Sequence, residues 1–290
     1  MELVLISGLS GSGKSVALHV LEDRGYYCVD NLPVVMLGVL VNLLQQEGYS
    51  RAAIAIDARS GDGIGRLPEK IQSLQGMGHL LTFLFLDAQD DTLIKRFSET
   101  RRRHPLAVGT RTLVESIGEE RRLLQPLVEL GHKLDTSGLK AAALREWVVQ
   151  ISAAPVREGL TLLFQSFGFK HGLPLDADLV FDARCLPNPY YEPELRALSG
   201  LDAPIVEFLE AEAAVLKMRA DIHRFVADWL PAYAQDSRAY LTVAIGCTGG
   251  QHRSVYLAEW LGRQFAGMTT QIPRVLVRHR ALAGSEFSGC

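Results

Sequence analysis

Residues 8 to 15 read Gly-Leu-Ser-Gly-Ser-Gly-Lys-Ser and fill every fixed position of the phosphate-loop pattern G-x-x-x-x-G-K-[ST]. Gly8, Gly11 and Gly13 let the backbone curl inward, so that the loop of Gly8, Leu9, Ser10, Gly11, Ser12 and Gly13 aims N–H groups at phosphate oxygens. Lys14 reaches the β and γ phosphates of ATP, and the Ser15 hydroxyl is a ligand for Mg2+. A second constellation spans Cys247 to Ser254, Cys-Thr-Gly-Gly-Gln-His-Arg-Ser. Cysteine, five residues, arginine, serine is the spacing of the protein tyrosine phosphatase loop. Arg253 there grips a phosphate through two parallel hydrogen bonds, and a helix start lowers the pKa of Cys247. Thr248, Gly249, Gly250 and His252 complete the loop, and Lys170, Arg184 and Arg238 sit near strand ends that can converge on it. A phosphatase also needs a general acid. No carboxylate is marked for that role, so the spacing favours binding of a phosphorylated metabolite over its cleavage.

Both loops need a strand before them and a helix after them. Leu3 to Ile6 is a short apolar strand, and Val16 to Glu22 has helical spacing that Gly25 can stop. Further strands are expected at Tyr26–Val29, Ala52–Ile56, Leu80–Leu86 and Lys133–Ser137, with helices from Pro33 through about Leu44, from Asp91, and over Ala141–Ile151. Almost unbroken apolar strands suit a parallel sheet covered on both faces. Asp30, Asp57 and Asp87 follow or close such strands, at the edge where open α/β sheets bind ligands. One of them can serve Mg2+ or orient a water, and the spacing leaves Asp57 and Asp87 undecided. Arg101 to Arg103 lie where a nucleotide lid is often carried.

A linker is expected at residues 153–159, dividing a P-loop domain, 1–152, from a second α/β domain, 160–290. Strands are expected there at Leu160–Phe169, Leu179–Phe181 and Ala239–Ile245, with a helical region from Pro204 to Tyr233 and a helix over Val255–Phe265. The fold class is therefore α/β: a kinase-like doubly wound parallel sheet plus a second α/β domain.

The 290 residues are 48% hydrophobic and 22% charged, which excludes a disordered chain. No apolar run is long enough to span a membrane. The chain runs straight into its first strand, leaving no room for a signal peptide, and the four cysteines show no CxxC pair. A cytoplasmic, reducing setting without membrane contact is the expectation. The net charge of −3 gives no global basic field to draw in nucleic acid.

Taken together, Gly8 to Ser15, Tyr26 to Pro33, Ser166 to Gly172, Arg184 to Pro189 and Ala244 to Ser254 resemble the RapZ/YvcJ family, bacterial nucleotide-binding proteins also known as RNase adapter proteins. The resemblance covers almost the whole chain. It implies an N-terminal domain with weak ATPase and GTPase activity, and Lys14, Ser15 and Asp57 are the expected catalytic residues. It also implies that Asp57, Ala58, Arg59 and Ser60 form the segment assigned to GTP. In enteric members the C-terminal domain senses an amino-sugar phosphate and presents a small RNA to an endoribonuclease. Those members end in a lysine- and arginine-rich tail, whereas residues 278–290 here contain no lysine. From residue 156 onward, 13 lysines and arginines stand against 15 aspartates and glutamates. Any RNA contact then falls to Arg274, Arg278 and Arg280, expected on one strand face. Such a patch gains from a homo-oligomer. A small-molecule kinase and a Cys247 phosphatase are the competing readings.

Overall fold

The structure, a computed structural model, describes residues 1–153, 160–235, 240–266 and 274–282. It divides into two compact units, Met1–Val156 and Arg157–Cys290. In the first, the order is β1 (Glu2–Gly8), α1 (Lys14–Asp23), β2 (Tyr27–Val29), α2 (Leu37–Gln46), β3 (Arg51–Ala55), α3 (Leu67–Gly76), β4 (Leu80–Asp87), α4 (Asp90–Thr100), α5 (Leu113–Leu124), β5 (His132–Asp135) and α6 (Ala141–Ala153). The strands form one parallel sheet in the order β2-β3-β1-β4-β5. Leu3, Val4, Leu5 and Ile6 of the central strand are all buried, as helices on both faces require. This is the parallel α/β sheet that the alternating pattern predicts.

Two elements differ from expectation. The apolar run after Pro33 begins as a 3-10 turn, Val34–Met36, before α2 takes over, and Pro33 itself, at an extended ψ of 135°, stays outside the helix. Helix α5 was not anticipated among its charged residues. Its start is a reciprocal cap: Thr112 Oγ1 accepts from the Glu115 N–H at 3.3 Å and the Glu115 carboxylate accepts from the Thr112 N–H at 2.8 Å.

The second unit runs β6 (Thr161–Gly168), β7 (Leu179–Asp182), α7 (Ala203–Glu210), α8 (Ala213–Gln235), β8 (Tyr240–Cys247), α9 (Arg253–Ala266) and β9 (Arg274–His279). Its parallel sheet has the order β7-β8-β6-β9. The expected helix over 204–233 is two helices that break at Ala211 and Glu212. Parallel pairing of β6 with β8 sets Gly168 beside Cys247, so the loop after β6 and the Cys247 loop leave the sheet together. Among the described residues, no helix is long and apolar enough to cross a membrane.

Candidate functional site

The turn from β1 into α1 needs glycine at its first position. Gly8 has φ +134°, and a Cβ there would lie 2.0 Å from the Leu86 carbonyl oxygen of neighbouring β4. The loop opens into a cavity of about 500 Å³ lined by Ser10 through Val16, Asp30, Asp57, Arg59, Arg96, Arg102, Arg103 and Thr136, among others. The Lys14 ammonium donates to the carbonyls of Gly8, at 2.6 Å, and Leu9, at 3.1 Å. Burial lowers its pKa, against the pull of Glu120, Asp57 and Asp30. Ser15 is exposed at the start of α1.

Asp57 and Asp87 sit in different surroundings. Asp87 turns to Arg121, at 2.8 Å, and to Lys133, at 3.4 Å, and does not line the cavity. Asp57 lines the cavity, and Arg59 holds it through Nε at 2.9 Å and Nη2 at 2.7 Å. Of the segment expected to hold GTP, Asp57 and Arg59 line the cavity. Ala58 is buried, and the Ser60 hydroxyl points to the Leu32 carbonyl at 3.5 Å.

The loop is braced from three sides. Arg96 of α4 donates to the Gly11 carbonyl at 2.9 Å and to the Thr136 carbonyl at 2.7 Å. Thr136 Oγ1 lies 2.9 Å from the Ser12 carbonyl oxygen. The third brace is Glu120 of α5, fully buried. Its carboxylate accepts from the Ser10 N–H at 2.8 Å and the Ser10 hydroxyl at 2.7 Å, and lies 3.0 Å from His104 Nε2. The Leu106 N–H donates to His104 Nδ1 at 3.1 Å, so the imidazole proton sits on Nε2 and points at Glu120. Burial pushes the Glu120 carboxyl up, but His104, Lys14 and the two Ser10 bonds outweigh it and hold it below the usual range. Sequence reasoning missed Glu120, Arg96, His104 and Thr136. The Thr112–Glu115 capping pattern was the one signal that α5 existed.

The Cys247 loop has the same strand–loop–helix form. Gly250, at φ +75°, is required because a Cβ would lie 2.5 Å from the Gly168 nitrogen. The Cys247 thiol is buried, 3.2 Å from Ser254 Oγ, and accepts from the Gly250 N–H at 3.2 Å. Burial raises its pKa, yet those bonds and Arg253 bring it below the ordinary thiol value. Arg253 leaves its buried Nε without a hydrogen-bond partner. Its Nη1 donates to the carbonyls of Arg184, at 3.0 Å, and Leu186, at 2.9 Å, and its Nη2 faces Thr248 Oγ1 at 3.4 Å. It ties the loop to the segment after β7. Arg184 is exposed, holds Asp182 at 2.7 Å and stacks on Phe169 at 3.9 Å. Lys170 is exposed, with its ammonium beside Gly249. His252 is buried, and burial lowers its pKa. Lys170, Arg184, Thr248 and Gly249 thus come together at the carboxyl end of the sheet, whereas Arg238 lies outside the described residues.

The RapZ-like N-terminal domain family matches residues 1–154, and the RapZ C-terminal domain family matches residues 160–283. The chain belongs to the RapZ family. Three relatives, each named a nucleotide-binding protein, support this across nearly the full length of both chains. That of Dechloromonas aromatica is 64% identical, covering 98% of this chain and 100% of the relative. Those of Azoarcus sp. strain BH72 and Aromatoleum aromaticum are 62% and 59% identical, each covering 98% of this chain and 96% of the relative. A solved, unliganded sugar kinase from Janibacter sp. HTCC2649 is similar to part of the chain, with TM-score 0.36 and 16% identity over 52% of this chain and 94% of its own. Against the RNA expectation for a RapZ member, the three arginines do not share one exposed face. Arg278 is buried and pairs with Asp176 at 3.2 Å and with Gln165. Arg274 is half-buried on β9, and Arg280 lies past the strand in a turn, donating to the Gly172 carbonyl at 3.4 Å.

Proposed function

We propose that this RapZ-family chain is a regulatory nucleotide-binding protein that binds ATP or GTP with Mg2+ in the N-terminal cavity and hydrolyses it slowly. The observation that carries the reading is the complete Gly8–Ser15 loop, braced by Glu120, Arg96 and Thr136, opening on a cavity with Asp30 and Asp57. Magnesium suits these oxygen donors, with Ser15 and Asp57 to hold it. When bound, it neutralises phosphate charge. Slow turnover fits Asp57 held by Arg59 and Lys14 drawn back onto loop carbonyls. The names of the relatives agree with nucleotide as ligand. Lys14→Ala removes the cation facing the phosphates, so ATP and GTP hydrolysis falls by about tenfold or more. Unchanged hydrolysis would remove the loop from the mechanism.

The second unit, in this reading, senses a phosphorylated sugar, with an amino-sugar phosphate as the family-based choice. Lys170, Thr248, Gly249 and Arg184 supply the contacts, and Arg253 holds the loop in shape. The chain acts as a homo-oligomeric adapter for RNA and an endoribonuclease.

A further inference from the structure

The outward face of α8 carries a charge pattern that its own reversal complements. Lys217, Asp221, Arg224 and Asp228 are spaced four, three and four residues apart, so they form one stripe along the helix. The stripe faces solvent: the Lys217 and Arg224 side chains are 78% and 72% exposed, and Asp228 is exposed. Within the chain Asp221 accepts from Lys217 at 2.5 Å and from Arg224 at 2.9 Å. The signs along the stripe are plus, minus, plus, minus. Read from the other end they are minus, plus, minus, plus. Two copies of α8 laid antiparallel about the point between Ile222 and His223 set Lys217 against Asp228 of the second copy and Asp221 against its Arg224. Symmetry doubles both pairs. A parallel pair in register sets like charge against like.

Beside the stripe lies an apolar groove of about 570 Å³, whose lining includes Phe181, Leu186, Met218, Phe225 and Trp229. Phe225 is 41% and Trp229 55% exposed, large apolar surface that a lone chain leaves in water. A two-fold axis in the contact plane turns the same flank of both helices to the same side, so the two grooves adjoin. Exposed Ala214 and Ala220 flank the stripe and let the helix backbones approach. We propose that α8 is a homodimer interface, with the paired stripes setting an antiparallel orientation and the joined Phe225–Trp229 grooves covering apolar surface. This deepens the oligomeric part of the function proposed above. Exposed ion pairs contribute orientation more than affinity, so the two devices have separable roles.

Charge exchange in the full chain tests it by sedimentation velocity. Asp221→Arg alone and Arg224→Asp alone each place like charges at two facing positions, and each weakens self-association by tenfold or more while the subunit keeps the parent's far-ultraviolet circular dichroism. Mixing the two variants restores opposite signs at both positions and recovers the parent's mass as a mixed dimer. Lys217→Asp and Asp228→Lys repeat the exchange at the outer pair. A parent chain that sediments as a single subunit overturns the oligomer and this interface together. A self-associating parent whose variants are unchanged, or whose weakened variants do not rejoin on mixing, overturns this interface alone.

Discussion

The two loops share one backbone plan and differ in what their basic residue does. In both, a buried strand ends in glycines and a helix begins at the loop's last residues. In the first, the Lys14 ammonium rests on two carbonyls of its own loop, and the bracing comes from Arg96, Thr136 and Glu120 on other elements. In the second, Arg253 is itself the brace, buried with its guanidinium on the carbonyls of Arg184 and Leu186. A cation that is not the scaffold can follow a polyphosphate through a reaction. A cation that is the scaffold can shape a binding loop but is not available to track a leaving group. That difference supports the proposed division of labour, with nucleotide chemistry at the first loop and static phosphate recognition at the second.

The largest expected effect breaks the first brace. Glu120→Ala leaves the Ser10 and His104 donors without their buried acceptor and costs about 1–3 kcal/mol for each, read by thermal unfolding, with loss of nucleotide binding and intact sugar-phosphate binding. The same carboxyl sets an acid limit. Its folded pKa lies below the unfolded value of about 4.3. In the window between them the unfolded chain holds more protons, so stability is present above that window and is lost as pH falls through the folded pKa. Glu120→Gln flattens that limb of a stability–pH curve, and a limb unchanged by Glu120→Gln would assign the acid loss to other groups.

The next effect breaks the second brace. Arg253→Ala leaves two carbonyls without donors, about 1–3 kcal/mol, and abolishes sugar-phosphate binding in a calorimetric titration, while ATP hydrolysis stays at the parent rate. Cys247-dependent release of phosphate from the same ligands would establish phosphatase chemistry instead. The smallest effect concerns RNA. Because Arg278 is buried in an ion pair, Arg274 and Arg280 are the arginines left to reach phosphates. With so few contacts, binding to a bulged hairpin is weak and shallow in its salt dependence. Arg274→Ala with Arg280→Ala reduces it further in gel-shift titrations at two salt concentrations. No shift by the parent at low salt removes RNA from the account.

Both loops were legible because spacing alone encodes them: fixed glycines, a basic residue and a hydroxyl at set distances, with apolar strands marking where they must sit. The parallel sheet was legible in runs such as Leu80–Leu86. What spacing does not encode is contact across more than a hundred residues. Glu120 sits in a charged run, Glu119-Glu120-Arg121-Arg122, that reads as a solvated helix face, yet it is the buried member, 110 residues from Ser10. Asp57 and Asp87 were equivalent in sequence, and their partners and the cavity separate them. Arg253 matched a phosphatase arginine by spacing, but its bonds to the carbonyls of Arg184 and Leu186 could not be read from that spacing.

The central claim is that two loops of one design serve different anions, and a crossed calorimetric titration of the full chain tests it most directly. MgATP and an amino-sugar phosphate are each titrated into the parent, Lys14→Ala and Arg253→Ala. The predicted result is crossed loss. Lys14→Ala weakens MgATP by about tenfold or more and leaves the sugar phosphate unchanged, while Arg253→Ala abolishes the sugar phosphate and leaves MgATP unchanged. MgATP binding that survives in Lys14→Ala and disappears in Arg253→Ala would contradict the assignment of the two loops.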